Sequence, residues 1–330
     1  MSKLNLSLAC WDYDRTRALM DGTVRPGGIE LNYLNMPVEE TFFRMLRHHE
    51  FDVAEMSLSS YTMSLFSETR PFVAIPVFPS RYFRHSSIYI NARSGIKTPK
   101  DLIGKRIGTP EYQMTAPLWI RGMLADEYQV PIDSALYLIG GEETPNRPEK
   151  LRLDLPENIR TERIRPDQTL AKMLLEGEID ALYTARAPSS FYDGSGRVLR
   201  LFEDYSKVEL DYYRKTRIFP IMHCVVIRRE VYEQNRWVAQ SLFKAFKEAK
   251  EKTYQDMHET AAHKMTLPWL SVHVEQALRE LGNDFWSYGL SENRDTIATF
   301  LRYHHEQGLS KCLLSPEDLF VPETFESFVI

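Results

Sequence analysis

The sequence predicts an α/β protein folded as two lobes, and three observations carry that expectation. The chain has 330 residues, more than one hydrophobic core usually serves. Hydrophobic residues make up 43% and charged residues 26%, the balance of a folded globular chain and not of a disordered one. Strand and helix signals alternate from the start, an order that argues for parallel sheets with crossover helices.

The elements follow in turn. Leu4, Leu6 and Leu8 alternate at period two and predict a first strand. Asp14 reads as the cap of a short helix ending at Gly22. A second strand is expected over residues 29–34, with Ile29, Leu31 and Tyr33 on one face, followed by a helix that groups Phe42, Met45 and Leu46. Residues 51–56 predict a buried strand, and residues 57–60 the cap of the next helix. Residues 86–91 are a further strand. The block KTPKDLIGKRIGTP then supplies a short helix stopped by Gly104 and a new strand at 106–108. A helix is expected from Thr115 to Tyr128. Asp167 is expected to cap another, with Leu170, Met173 and Leu174 on one face and Gly177 as its stop, before a strand at 179–183. An apolar strand at 221–227 leads into helices with stripes Val238, Leu242, Ala245, Phe246, Ala249 and Ile297, Phe300, Leu301, His304. No internal repeat or low-complexity tract interrupts this order.

Charge and cysteine content exclude several classes. A formal net charge of −5 gives no general attraction to phosphate backbones or anionic lipid, so neither nucleic acid nor membrane is an expected partner. Arg160, Arg163 and Arg165 read as a solvated face, or as partners of one acidic ligand. Cys10, Cys224 and Cys312 are far apart, without zinc spacing, and are expected to be reduced thiols. The opening MSKLNLSLACWDYD lacks the long apolar region of a secretory signal, and no segment approaches membrane-span length. A cytoplasmic location is expected. P-loop, GxGxxG and G-x-S-x-G motifs are absent, which removes the usual nucleotide and serine-hydrolase readings. Nothing in the sequence sets an oligomeric state.

Three segments carry a family resemblance. KTPKDLIGKRIGTP resembles the entry to the second lobe of type II periplasmic binding proteins. FDVAEMSLSSY resembles the first-lobe strand whose hydroxyl residues face the ligand, and GEIDALYTARAP the last second-lobe strand. The resemblance implies a two-lobed α/β fold, each lobe a mixed sheet flanked by helices, with two hinge strands and a ligand cleft. Lobe one would be 1–90 plus 227–330, lobe two 91–226, and strands 86–91 and 221–227 the hinge crossings. Within that superfamily, YDRTR, FDVAEMSLSSY, IPVFPSRYFRHSSIYIN, PEYQMTAPLWIRGML and IFPIMH, in this order, resemble the 4,5-dihydroxyphthalate decarboxylase family. This implies loss of a carboxylate as CO2 from a hydroxylated aromatic acid. The rival from another class is a non-catalytic binding or sensor protein for a small carboxylate.

Candidate site residues are weighed against plainer roles. Arg81 and Arg84, three apart, suit carboxylates because planar guanidinium groups bind them in a bidentate way; a surface ion pair is the alternative. Tyr112, Gln113 and Thr115 lie at a helix start, where free N–H groups and the dipole favour an anion; the plainer role is Thr115 as an ordinary N-cap. Ser57, Ser59, Ser60 and Tyr61 follow a buried strand, and capping accounts for one of them. Arg15, beside Asp14, and Arg186 are further anion candidates. His85 and His223 are the histidines of interest among nine, each beside an apolar strand where a structural role is the commoner outcome. Glu111, Glu55 and Tyr112 are alternative proton-transfer groups, Glu55 also a plain ion-pair partner. His48, His49, His304 and His305 are expected to be solvated. No cofactor is expected, although His85, His223 and Glu55 leave a divalent-metal site open as an alternative.

Overall fold

The computed structural model describes residues 3–147, 150–151 and 153–325. Along the chain come β1 (Leu4–Cys10), α1 (Asp14–Met20), β2 (Ile29–Asn35), α2 (Val38–His48), β3 (Val53–Ser57), α3 (Leu58–Ser64) and β4 (Phe72–Ile75). Then follow β5 (Ile88–Asn91), β6 (Arg106–Thr109), α4 (Thr115–Tyr128), β7 (Leu136–Ile139), β8 (Arg160–Arg163), α5 (Leu170–Glu176), β9 (Ala181–Tyr183), β10 (Val198–Arg200) and α6 (Tyr205–Thr216). The chain ends with β11 (His223–Arg228), α7 (Arg229–Gln234), α8 (Trp237–His258), α9 (Leu270–Leu281) and α10 (Arg294–Glu306).

Two mixed sheets result. The first has the order β2-β1-β3-β11-β4, with β1 parallel to β2 and β3, and β11 antiparallel to β3 and β4. The second runs β10-β5-β9-β6-β7-β8, with β9, β6, β7 and β8 parallel and β5 antiparallel to both neighbours. Every residue of β3 is buried; a strand covered on both faces reads as a continuous run and not an alternation. Helix α8 shows the opposite, an amphipathic stripe in which Val238, Leu242, Phe246 and Ala249 are wholly buried. Each such Leu or Phe side chain contributes about 1.5–3 kcal/mol when removed from water. In the second unit Leu170, Met173, Leu174, Ile179, Leu182 and Tyr89 form one core cluster.

The chain divides into two compact units, but not where the sequence suggested. The first takes the chain up to Arg81, from Ile221 to Ala298 and from Leu314 onward; the second takes Tyr82–Pro220 and Thr299–Leu313. The expected hinge strands belong within sheets. β5 is hydrogen-bonded on one edge to β10 and on the other to β9, and β11 lies between β3 and β4. A strand paired on both edges is held by its sheet and cannot serve as a free connector. The end of α10 and the turn after it, residues 299–313, were expected in lobe one and belong to the second unit. Local starts also shift: Asp14 is the first residue of α1, not its cap, Thr169 and not Asp167 precedes α5, and Met114 and not Thr115 precedes α4. Gly177 does stop α5 with φ +81, a conformation that favours glycine.

The packing of Tyr303 explains why the last segment joins the second unit. Its ring meets Trp119 edge-on at 5.6 Å and lies over Gly122, where an added Cβ would fall 2.2 Å from a ring carbon. Alanine normally favours a helix by about 1 kcal/mol over glycine, whereas overpacking a core costs typically about 1–3 kcal/mol. Gly122→Ala is therefore expected to lower the urea midpoint, with partial recovery when combined with Tyr303→Leu. A midpoint for Gly122→Ala at or above the parent value would refute that packing.

Candidate active site

In the first unit, the carboxyl ends of β1 and β3 and the start of β11 converge. In open α/β sheets, strand ends of this kind gather ligands. β11 pairs with β3 so that His223 lies opposite Ser57 and Val225 opposite Glu55. Directly opposed residues share a sheet face, so His223 and Glu55 become diagonal neighbours. The His223 ring nitrogen Nδ1 lies 2.6 Å from Glu55 Oε1. The hydroxyl of Tyr13 donates to the same oxygen at 2.7 Å. The backbone N–H of Trp11 donates to Oε2 at 3.2 Å, and the Cys10 thiol approaches that oxygen at 3.7 Å.

Glu55 is fully buried, and an isolated buried carboxylate would take up a proton. Burial does push its carboxyl upward, but the adjoining His223 and the hydrogen bonds from His223, Tyr13 and Trp11 outweigh it and hold the group below its ordinary value. The Cys10 thiol moves the other way, raised by burial and then by the Glu55 charge. An ionised Glu55 only accepts, so the proton between it and His223 sits on Nδ1 and Nε2 is left for other chemistry. Phe42 packs edge-on against the imidazole at 4.9 Å, and the His223 side chain keeps 17% of its exposure.

Arg15, at the start of α1, adjoins this group. Its guanidinium lies between two rings, 4.1 Å from the centre of Tyr13 and 4.2 Å from that of Trp286. Nε donates to the Pro79 carbonyl at 2.6 Å and Nη1 to Asp14 at 3.0 Å. Those bonds fix its plane, and Nη2 donates to none of the described residues. A stacked, pre-oriented guanidinium is suited to a planar anion.

The other first-unit candidates are buried. Ser57 caps α3, accepting from the Ser60 N–H at 3.5 Å. Ser59 and Ser60 are buried, and Tyr61 is buried with its hydroxyl bonded to the Leu319 carbonyl. Arg81 is only 5% exposed; its guanidinium donates to the Ser287 carbonyl at 2.6 Å and to Asn293. That arrangement ties Arg81 through Nη2 to the segment around Ser287.

The second-unit candidates divide likewise. His85 was expected beside a mobile hinge. It is wholly buried, enclosed by Tyr128, Phe202 and Tyr212 at 5.9, 5.1 and 5.3 Å, and both ring nitrogens lack a hydrogen-bond partner. Burial pushes its imidazole down to about 4. Glu111 is buried and bound by Arg147 at 2.9 Å, Lys150 at 2.8 Å and Gln113 Nε2 at 2.9 Å. Those three donors occupy both its oxygens inside the second unit, the arrangement of a buried ion pair. Tyr112 lies under the Arg121 guanidinium at 3.9 Å, Gln113 is buried, and Thr115 opens α4. Arg84 is buried against Tyr82 and donates to Ser87 and Ala185, and burial lowers its pKa to about 10. Arg186 is exposed after β9. His304, expected on a solvated face, is buried with Nδ1 on the Ser310 hydroxyl. Among the described residues no set of three or more His, Cys, Asp or Glu side chains is grouped so as to hold a metal ion.

Sequence reasoning singled out His223, Glu55 and Arg15 but missed Tyr13 and Trp286. Tyr13 left a faint signal, an aromatic residue directly before a helix start. Trp286 left none, because its distance along the chain from Arg15 carries no periodic pattern.

Two mixed α/β sheets in two units, the sheet of the second lying wholly between β4 and β11 in the chain, define the class: this is the periplasmic-binding-protein fold. The solved periplasmic sulfonate-binding protein SsuA of Methylobacillus flagellatus superposes with a TM-score of 0.55 at 14% identity, covering 98% of this chain and 93% of that one. No family model matches the sequence. A 4,5-dihydroxyphthalate decarboxylase of Comamonas testosteroni is 43% identical over 330 residues, the whole of both chains. Another from Pseudomonas putida is 44% identical over 214 residues, 65% of this chain and 83% of that protein. The chain belongs to the 4,5-dihydroxyphthalate decarboxylase family. No described helix is long and apolar enough to cross a membrane.

The enclosure of His85 has a consequence for acid stability. Its value in the folded protein, about 4, lies below the ordinary 6.5, so the unfolded chain binds the proton first as pH falls. The stabilising contribution is complete above about pH 6.5 and is lost progressively toward pH 4, roughly 3 kcal/mol in all. Relative to the parent, His85→Phe should lose less stability in urea melts between pH 7 and pH 4.5. Parallel losses in the two proteins would show that His85 is protonated in place.

Proposed function

We propose that this protein is a carboxy-lyase that removes one carboxylate as CO2 from a hydroxylated aromatic acid such as 4,5-dihydroxyphthalate, with His223 as the proton donor. The observation that carries the assignment of His223 is its 2.6 Å contact with the buried, ionised Glu55. The names of both relatives support the reaction class and the substrate class.

The chemistry balances as follows. A ring hydroxyl para to the departing carboxylate, most effectively as phenolate, pushes electrons toward the carbon that bears it. Nε2 of a protonated His223 delivers its proton to that carbon. The C–C bond to the carboxylate then breaks, its electron pair restores the aromatic ring, and CO2 leaves. His223 regains a proton from water for the next turnover. Glu55 accepts from Nδ1–H and fixes the ring, so that Nε2 is the nitrogen that exchanges protons, in a defined direction. Arg15, stacked between two rings, holds the carboxylate that is retained and aligns the ring for protonation.

The first test is CO2 release by the purified protein from 4,5-dihydroxyphthalate and related hydroxybenzoates. His223→Gln is expected to keep ligand affinity within a few-fold while turnover falls by roughly 100-fold or more, the scale of lost general acid–base catalysis. Arg15→Ala should weaken binding of the dicarboxylate far more than that of its uncharged diester, with partial rescue by Arg15→Lys. Parent-level turnover in His223→Gln excludes this histidine as the donor. Ligand binding by the parent without CO2 release points to a receptor instead.

A further inference from the structure

Tyr13 touches both halves of the site through different atoms. It lies in the turn between β1 and α1, with extended backbone at φ −91 and ψ 150. The turn is held from several sides: the Tyr13 N–H donates to the Trp11 carbonyl at 2.9 Å, the Thr16 N–H to the Tyr13 carbonyl at 3.1 Å, and the Tyr33 hydroxyl to the Trp11 carbonyl at 2.9 Å. That leaves the Tyr13 side chain little freedom. Its ring face carries the Arg15 guanidinium at 4.1 Å, and its hydroxyl bonds Glu55 Oε1 at 2.7 Å, the oxygen that also binds His223 Nδ1.

We propose that Tyr13 is a positioning residue for both functions of the site, its ring seating the carboxylate-binding Arg15 and its hydroxyl aiming Glu55 at His223. This deepens the reading above and rests on it. The shared oxygen is the reason for the second role. A carboxylate oxygen that accepts from two donors has its rotation set by both, so the hydroxyl fixes where the imidazole stands. The charged and titratable neighbours are few. His223 faces Glu55 from β11, Cys10 from the end of β1, and Tyr13 from the turn behind it; Tyr33 of β2 and Cys224 of β11 also feel the Glu55 charge, while Arg15 acts on Tyr13 and Cys10 through space. Helix α2 presents the Phe42 ring to the imidazole. The burial that raises the Tyr13 hydroxyl far above its ordinary value keeps it a donor.

Two substitutions separate the two roles. Tyr13→Phe keeps the ring and removes the hydroxyl: kcat for 4,5-dihydroxyphthalate should fall about tenfold, the scale of one hydrogen bond to a charged group, with KM within twofold. Tyr13→Leu removes the ring face too and should also raise KM by about tenfold, an effect absent with the diester as competing ligand. In nitrogen-15 NMR of the full chain, the low-field Nδ1–H resonance of His223 should shift in Tyr13→Phe, a signature that a merely structural tyrosine would not produce. An unchanged resonance together with an unchanged kcat overturns the proposal, as does equal KM for Tyr13→Phe and Tyr13→Leu. If His223→Gln retains turnover, the catalytic reading fails. The resonance then still decides the Tyr13–Glu55 contact, supporting it by a shift and overturning it by constancy.

Discussion

Glu55 is a carboxylate set in a strand whose every residue is buried, and the local architecture of the first unit follows from keeping it charged. Ionised carboxylates do not survive in apolar surroundings without several donors. Here the end of β1 contributes the Cys10 thiol, the turn after it contributes the Trp11 N–H and the Tyr13 hydroxyl, and β11 contributes His223. Three separate segments must therefore be in register before the charge is tolerated. The antiparallel insertion of β11 beside parallel β3 is what brings the imidazole to the right diagonal position.

The second unit meets the same difficulty with a different solution. Glu111 is as buried as Glu55, but two full cations bind it, Arg147 and Lys150. A buried ion pair of that kind holds a loop in place, and breaking one partner is far more costly than the pair is stabilising. Glu55 is bound by groups that are neutral or titratable, an arrangement that fits proton transfer instead of fixed structure. Two arginines of the first unit divide in the same way. Arg81 donates through Nη2 to the Ser287 carbonyl and to Asn293, while the half-buried Arg15 lies between two rings with Nη2 bonded to none of the described residues.

His85 and His223 look alike in the sequence, each polar beside an apolar strand. Their surroundings make them opposites. Aromatic rings enclose His85 and offer its nitrogens nothing, so the neutral form wins. A carboxylate meets His223 on one side and partial exposure remains on the other. The deciding quantity is the pairing of a ring nitrogen, not burial alone.

The sequence by itself determined the α/β class, the identity of most strands and helices, and the family, because these are written in local periodicity, in glycine stops such as Gly177 and in segment order. It also offered Glu55 as a proton-transfer group or an ion-pair partner, and named His223 and Arg15 among the candidates. Only the tertiary structure decided which candidates come together. Neither the Tyr13 hydroxyl on Glu55 nor Trp286 over Arg15 leaves a periodic trace, since contacts between residues far apart in the chain depend on strand order and register. The boundaries of the two units were misjudged for the same reason. Whether β5 and β11 connect units or sit inside sheets depends on what hydrogen-bonds to their edges, and a strand's own residues do not encode its neighbours.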